Sequence, residues 1–142
     1  GTPGQPGNDA AHFNLPTDIA VSAAGDVFVT DGYGSARVVR FDASGKYVGE
    51  WGGFGEGKTQ FITPHMVQLD SKGRVYIADR EGGAIKVFDA NGKSLAVWSE
   101  FTPWNLCITA DDEIWVCGCS SRLSLSVILR YRPSWDFGGR SV

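Results

Sequence analysis

The chain repeats itself, and a fixed-period repeat restricts a fold more than any local signal does. Aligned on proline, three units emerge. The first runs Phe13-Asn-Leu-Pro-Thr-Asp-Ile-Ala-Val, Gly25-Asp-Val-Phe-Val-Thr-Asp, Ala36-Arg-Val-Val-Arg-Phe-Asp and Gly45-Lys-Tyr-Val-Gly-Glu-Trp. The second runs Phe61-Ile-Thr-Pro-His-Met-Val-Gln-Leu, Gly73-Arg-Val-Tyr-Ile-Ala-Asp, Ala84-Ile-Lys-Val-Phe-Asp and Gly92-Lys-Ser-Leu-Ala-Val-Trp. The third opens alike, with Phe101-Thr-Pro-Trp-Asn-Leu-Cys-Ile and Asp112-Glu-Ile-Trp-Val-Cys-Gly. Pro16, Pro64 and Pro103 stand 48 and 39 residues apart, and the Gly-rich insertion Gly52-Gly-Phe-Gly-Glu-Gly accounts for the longer step.

Each unit contains short apolar runs broken by Gly, Asp, Asn or Ser. Asp42-Ala-Ser-Gly45 and Asp89-Ala-Asn-Gly92 read as tight turns, because Asp bonds locally to the backbone and Gly tolerates the closing angles. Thirteen Val against seven Leu, with seventeen aromatics, favours strand over helix. Nineteen Gly and six Pro exclude a helical solenoid. Four strands in about 40–45 residues is the period of a β-propeller blade. The fold class is therefore all-β and β-propeller-like. It comprises a flexible segment 1–11 and one domain, 12–142, with blades near 12–52, 60–99 and 100–137. In the third blade Val127-Ile-Leu-Arg-Tyr reads as a third strand, and Arg132 to Arg140 offers no convincing fourth, so that blade is incomplete or remodelled. Three blades do not close a ring. The exposed edges leave three readings: a piece of a longer protein, a chain that caps its own edges, or self-association, with two copies pairing into a six-bladed ring.

A net charge of -3 and the lack of a Lys/Arg cluster speak against nucleic acid as a partner. No apolar run approaches the ~20 residues that cross a bilayer, so no membrane partner is expected. The opening Gly1–Gly7 has neither the basic nor the apolar block of a signal peptide, and the compartment stays unassigned.

In a blade the strands alternate in direction. The start of the first strand and the loop between the second and third therefore share one end. Three residues with chemical handles fall there: Tyr33 in Asp31-Gly-Tyr-Gly-Ser, His65 directly after Pro64, and Arg80 in Ala78-Asp-Arg-Glu-Gly. A phenol, an imidazole and a guanidinium can act as proton acceptor, metal ligand and carboxylate clamp. A solvated Tyr and Arg, with a His that opens a strand, is the plainer reading of the same residues. Of the three cysteines, Cys107, Cys117 and Cys119, the first two read as small buried hydrophobes on strands. Asp111-Asp112-Glu113 reads as a solvated turn, Trp51 and Trp98 as inter-blade packing, and Gly52–Gly57 as a flexible connection. With only His12 and His65 present, no Ser-His-Asp set arises.

The units resemble NHL repeats. The stretch from His12 to Trp98, about 60% of the chain, resembles peptidyl-α-hydroxyglycine α-amidating lyase. The residues that carry this are His12-Phe13-Asn-Leu-Pro-Thr-Asp-Ile-Ala-Val, Asp31-Gly-Tyr-Gly-Ser-Ala-Arg-Val-Val-Arg-Phe, Ser44-Gly-Lys, Gln60-Phe-Ile-Thr-Pro-His and Ala78-Asp-Arg-Glu-Gly. The resemblance implies a six-bladed propeller that uses zinc to split a C-terminal α-hydroxyglycine into a peptide amide and glyoxylate. It casts Tyr33 as the acceptor of the hydroxyl proton, His65 as one of three zinc histidines, and Arg80 as a contact to the substrate carboxylate. The chain also departs from that pattern. The other two zinc histidines are expected in blades this chain lacks. Thr17 and Trp104, after the blade-opening prolines of the first and third units, are not zinc ligands, and two-fold copies of His65 supply two donors where catalytic zinc usually has three. The family's calcium ligands and a second substrate arginine are expected in blades this chain lacks. Asn14 and Gly34 stand where animal members place a disulfide. The expected function is thus a module of lyase ancestry that binds a peptide or protein on one face. The alternative is the zinc-dependent lyase itself, active when further blades or chains complete the site.

Overall fold

The computed structural model describes residues 1–99, 101–120 and 126–131. Its described elements are β1 (Asp18–Val21), β2 (Val27–Asp31), β3 (Arg37–Phe41), β4 (Tyr47–Gly52), β5 (Pro64–Leu69), β6 (Val75–Asp79), β7 (Ala84–Phe88), β8 (Ser94–Ser99), β9 (Phe101–Ile108), β10 (Ile114–Ser120) and β11 (Ser126–Tyr131). They form three antiparallel sheets: β1-β2-β3-β4, β5-β6-β7-β8, and a third with β10 between β9 and β11. The two expected turns close as the sequence requires. Asp42 Oδ1 accepts from the backbone N–H of Ser44 and Lys46 while Gly45 takes φ 82°, and Asp89 and Gly92, with φ 81°, repeat the arrangement. The third strand expected in the last blade is β11. The stretch Arg132–Arg140 lies outside the described residues.

The sheets stack face to face around two apolar layers. Phe28, Val38, Phe61, Val67, Val75, Ile77 and Phe88 fill the first, and Tyr76, Ile85, Val87, Leu106, Ile114 and Val116 the second. Both tryptophans expected between blades are there. Trp51 packs on Phe28 and Phe88, and Trp98 stacks on Tyr131 with ring centroids 5.0 Å apart. Polar links join the inner strands as well. Thr17 Oγ1 lies 2.7 Å from the Pro64 carbonyl, and Asp18 Oδ2 accepts from the Val67 N–H at 3.0 Å.

Two buried ion pairs secure the loops. Asp79 is fully buried, accepts from the N–H groups of Ile62 and Thr63, and pairs with Lys86 at 3.0 Å. In the first sheet Asp31 takes the equivalent place, accepting from the Asn14 N–H and pairing with Arg37 at 3.1 Å. Arg37 also donates to the carbonyls of Asn8, Asp9 and His12, and so anchors the N-terminal segment to this sheet.

Three local readings need correction or extension. Cys107 and Cys117 are exposed rather than buried, since they sit on the outer face of the last sheet, which no further layer covers among the described residues. The insertion after β4 is bonded in place. Gly53 donates to Ala36, Gly55 to Phe61, Phe61 back to Gly53, and Lys86 Nζ reaches the carbonyls of Gly57 and Gln60. Asp112, within the expected turn, also binds the N–H and hydroxyl of Ser71 in the neighbouring blade.

Among the described residues the stack is open at both ends. Trp115 stands at the register position of Phe28 and Tyr76, yet is 39% exposed where each of those is 1%. At the other end, Ile19 is 58% exposed where its counterpart Val67 is fully buried.

Candidate functional site

Tyr33, His65 and Arg80 come together at one end of the first two sheets. Tyr33 sits between β2 and β3. Its loop is fixed by the Tyr33 N–H to the Leu15 carbonyl, by Asn14 Nδ2 to the Gly34 carbonyl, and by the close approach of Gly32 to the next blade. A Cβ on Gly32 would lie 2.3 Å from the Pro64 oxygen, so only glycine lets the two blades meet here. Arg80 follows β6, and its N–H bonds to the Thr63 carbonyl.

A β-bulge aims His65. Between β5 and β6 the register passes from Pro64↔Asp79 to Met66↔Ala78, leaving His65 as the extra residue. A bulge leaves its extra residue unpaired, bends the strand and so re-aims a side chain. The same skip recurs between β9 and β10, where Asn105 pairs with Cys117 and Pro103 with Gly118, so Trp104 is the extra residue there. Gly118 allows it, since a Cβ would lie 2.0 Å from the Thr102 oxygen. In the first blade Thr17 precedes the Asp18↔Thr30 pair and bonds to the same Thr30. Thr17, His65 and Trp104 are therefore equivalent positions in three consecutive blades.

Within the cluster the Tyr33 hydroxyl is central. His65 Nε2 lies 3.1 Å away, and an Arg80 terminal nitrogen donates to it at 3.3 Å. The rings of Tyr33 and His65 meet edge to face, and the Arg80 guanidinium lies 5.6 Å from the Tyr33 ring centroid. His65 Nδ1 is buried and has no hydrogen-bond partner among the described residues. Tyr33 is 54% exposed, so its hydroxyl can meet a ligand.

The sequence reading missed one member. Glu81 Oε1 accepts from Arg80 Nε at 2.6 Å and orients the guanidinium. Burial acts to raise the Glu81 pKa, but hydrogen bonds from Thr63 and Arg80 outweigh it and hold the carboxyl below its ordinary value of 4.5. A group lowered in the folded state contributes its pairing above its ordinary value and loses it as pH falls through the lowered one. The carboxyl carbon of Glu81, followed by NMR, should titrate with a midpoint below 4.5, and Arg80→Ala should move that midpoint upward. An unchanged midpoint would remove Glu81 from the cluster.

The residues present do not make a zinc site. Structural and catalytic zinc takes three or four protein donors. This cluster offers one imidazole, and no group of three or more His, Cys, Asp or Glu able to hold a metal occurs among the described residues. A separate cavity of about 590 Å³ opens at the opposite end of the strands, among Val21, Phe28, Leu69 and Ile108. The carboxylates of Asp26, Asp70 and Asp112 along it are engaged by Arg40, Arg74 and Ser71.

Comparison with known proteins follows the same lines. The family model for the NHL repeat matches residues 13–41. The chain is 43% identical to peptidylglycine alpha-amidating monooxygenase of Rattus norvegicus, over 63% of this chain and 10% of that protein. It is 35% identical to the probable peptidyl-alpha-hydroxyglycine alpha-amidating lyase pgal-1 of Caenorhabditis elegans, over 77% of this chain and 31% of that one. It is 32% identical to NHL repeat-containing protein 3 of Mus musculus, over all of this chain and 43% of that protein. Among solved structures, the luciferin-regenerating enzyme superposes with a TM-score of 0.66 at 15% identity, over 87% of this chain and 46% of that one. This last likeness concerns the fold alone. The chain thus carries NHL-type β-propeller blades related to the amidating lyases, and spans less than half the length of each of these proteins.

Proposed function

We propose that the Tyr33–His65–Arg80 face binds the C-terminal α-hydroxyglycine of a peptide and is part of a lyase site that yields a peptide amide and glyoxylate. The observation that carries this reading is the Tyr33 hydroxyl, held at 3.1 Å from an imidazole and 3.3 Å from a guanidinium contributed by the neighbouring blade. Relationship to the amidating lyases supports it.

Each residue has a task. Arg80 has donors beyond those given to Glu81 and Tyr33, and a planar guanidinium suits a carboxylate. His65 Nε2 takes the phenolic proton from Tyr33, and the adjacent Arg80 charge stabilises the oxygen left behind. That oxygen removes the hydroxyl proton of the α-hydroxyglycine. As the new carbonyl of glyoxylate forms, the C–N bond breaks, and the proton held on His65 passes to the departing amide nitrogen. Atoms and charge balance, and the cluster returns to its starting state. Any metal needs donors from beyond this chain. They would come from blades that cover the open faces at Ile19 and Trp115 (whether of the same polypeptide or of a second copy).

One observation favours a second reading, a face that binds the peptide end without turnover: one imidazole stands where three are expected. Calorimetry and a glyoxylate assay separate the two. N-acetyl-alanyl-α-hydroxyglycine should bind at least about tenfold more tightly than N-acetyl-alaninamide, since a charge-assisted contact contributes about 1.5–3 kcal/mol. Arg80→Ala should erase that difference. Equal binding of acid and amide would end both readings. Glyoxylate release that disappears in Tyr33→Phe supports the lyase, and binding without release supports the second reading.

A further inference from the structure

We propose that Trp104 is the apolar wall of this site, packing against the side chain that precedes the α-hydroxyglycine and so selecting peptides with a large apolar residue there. This rests on the carboxylate-binding reading above. Thr17, His65 and Trp104 stand in equivalent positions, the last two as bulge residues, and two of the three have evident tasks. Thr17 gives its hydroxyl to the link with Pro64 and Thr30, and His65 joins the Tyr33 cluster. Trp104 has no such task. It is 48% exposed, whereas Pro103 before it and Leu106 just beyond are buried. Among the described residues it makes no ring contact and no hydrogen bond. Its exposure differs in kind from that of Trp115. Trp115 lies on the open outer face of the sheet, at the register of Phe28 and Tyr76, where a further layer belongs. Trp104 is the extra residue of its bulge, at the same end of the strands as His65.

Position fits the role. β5 and β9 are neighbouring inner strands, so the two bulges open side by side. Packed sheets lie about 10 Å apart. With its carboxylate on Arg80 and its hydroxyl on Tyr33, the peptide's preceding residue stands about 3.5 Å further along the chain. A Phe or Leu side chain covers much of what remains. An indole presents a broad, rigid apolar surface at small cost in side-chain entropy, which suits it to hold such a group.

The test compares two probes, N-acetyl-phenylalanyl-α-hydroxyglycine and N-acetyl-alanyl-α-hydroxyglycine, by calorimetry on the whole chain. The phenylalanyl peptide should bind about tenfold more tightly, from the extra apolar area removed from water. Trp104→Ala should bring the ratio near one by weakening the phenylalanyl peptide far more than the alanyl one, and Trp104→Phe should keep part of the preference. Arg80→Ala should weaken both peptides alike and preserve the ratio. A ratio near one in the original chain, or one that survives Trp104→Ala, overturns the assignment of Trp104 while the Arg80 effect still upholds the carboxylate site. If neither peptide binds the original chain, both readings fall together.

Discussion

Asp79→Ala is expected to destabilise the chain by about 3–5 kcal/mol, a large share of the ~5–15 kcal/mol that holds a domain together. The carboxylate is fully buried, and three groups depend on it: the N–H groups of Ile62 and Thr63, and the Lys86 ammonium. Its removal strands a buried cation and two donors. An unmet buried donor costs about 1–3 kcal/mol, and an unpaired buried charge more. The chain segment that delivers His65 to its bulge would lose its anchor at the same time. Urea unfolding measures the effect. The double variant Asp79→Asn, Lys86→Met removes both charges and should recover much of the loss, because replacing a whole buried pair is far cheaper than halving it. Recovery should stay incomplete, since Lys86 also holds the carbonyls of Gly57 and Gln60. A loss under about 1 kcal/mol for the single variant would mean that the pair is dispensable.

Phe61→Ala should cost about 3–5 kcal/mol, the range for truncating a buried aromatic. Phe61 is fully buried, packs its ring on Phe88 at 5.7 Å, and lies under the Lys86 ammonium at 5.3 Å. Its backbone is the clasp of the insertion, bonding with Gly53 and Gly55. Truncation therefore empties part of the layer between the first two sheets and loosens the loop above it. Phe61→Leu keeps most of the volume and should cost under half as much by the same unfolding measurement. Similar losses for Ala and Leu would point to the ring's place beneath Lys86, rather than its volume, as the important feature.

The blades were legible because their signals are local and repeated. Proline, then alternation, then an Asp–Gly turn recur often enough to survive ambiguity in any one strand. Convergence of Tyr33, His65 and Arg80 at one end followed from strand direction alone, which needs no coordinates. Other features depend on geometry that spacing does not carry. The bulge is one: His65 looks like an ordinary first residue of a strand until the pairing of Pro64 and Met66 is known. The partners of the buried aspartates are another. Asp31 and Asp79 recur at the end of the second strand in the first two blades and were available as a repeated signal. Their cations come from different registers, Arg37 at the start of β3 but Lys86 in the middle of β7. Cys107 and Cys117 were misplaced because a strand residue is buried only if its sheet has a neighbour on that side, and theirs is the last in the stack. Glycine content suggested looseness in the insertion, whereas its backbone bonds to Phe61 and Lys86 run across the chain.

The recurring bulge separates what the scaffold needs from what it can offer. The extra residue of a bulge is left unpaired by the ladder, so β5 and β9 each hold one position that strand pairing does not fix. His65 and Trp104 fill it with a base and an apolar plate, while at the equivalent place in the first blade Thr17 gives its hydroxyl to the link with Pro64 and Thr30. New specificities in such a chain are therefore open to single substitutions at the bulges, whereas Thr17 is tied to the joining of the blades.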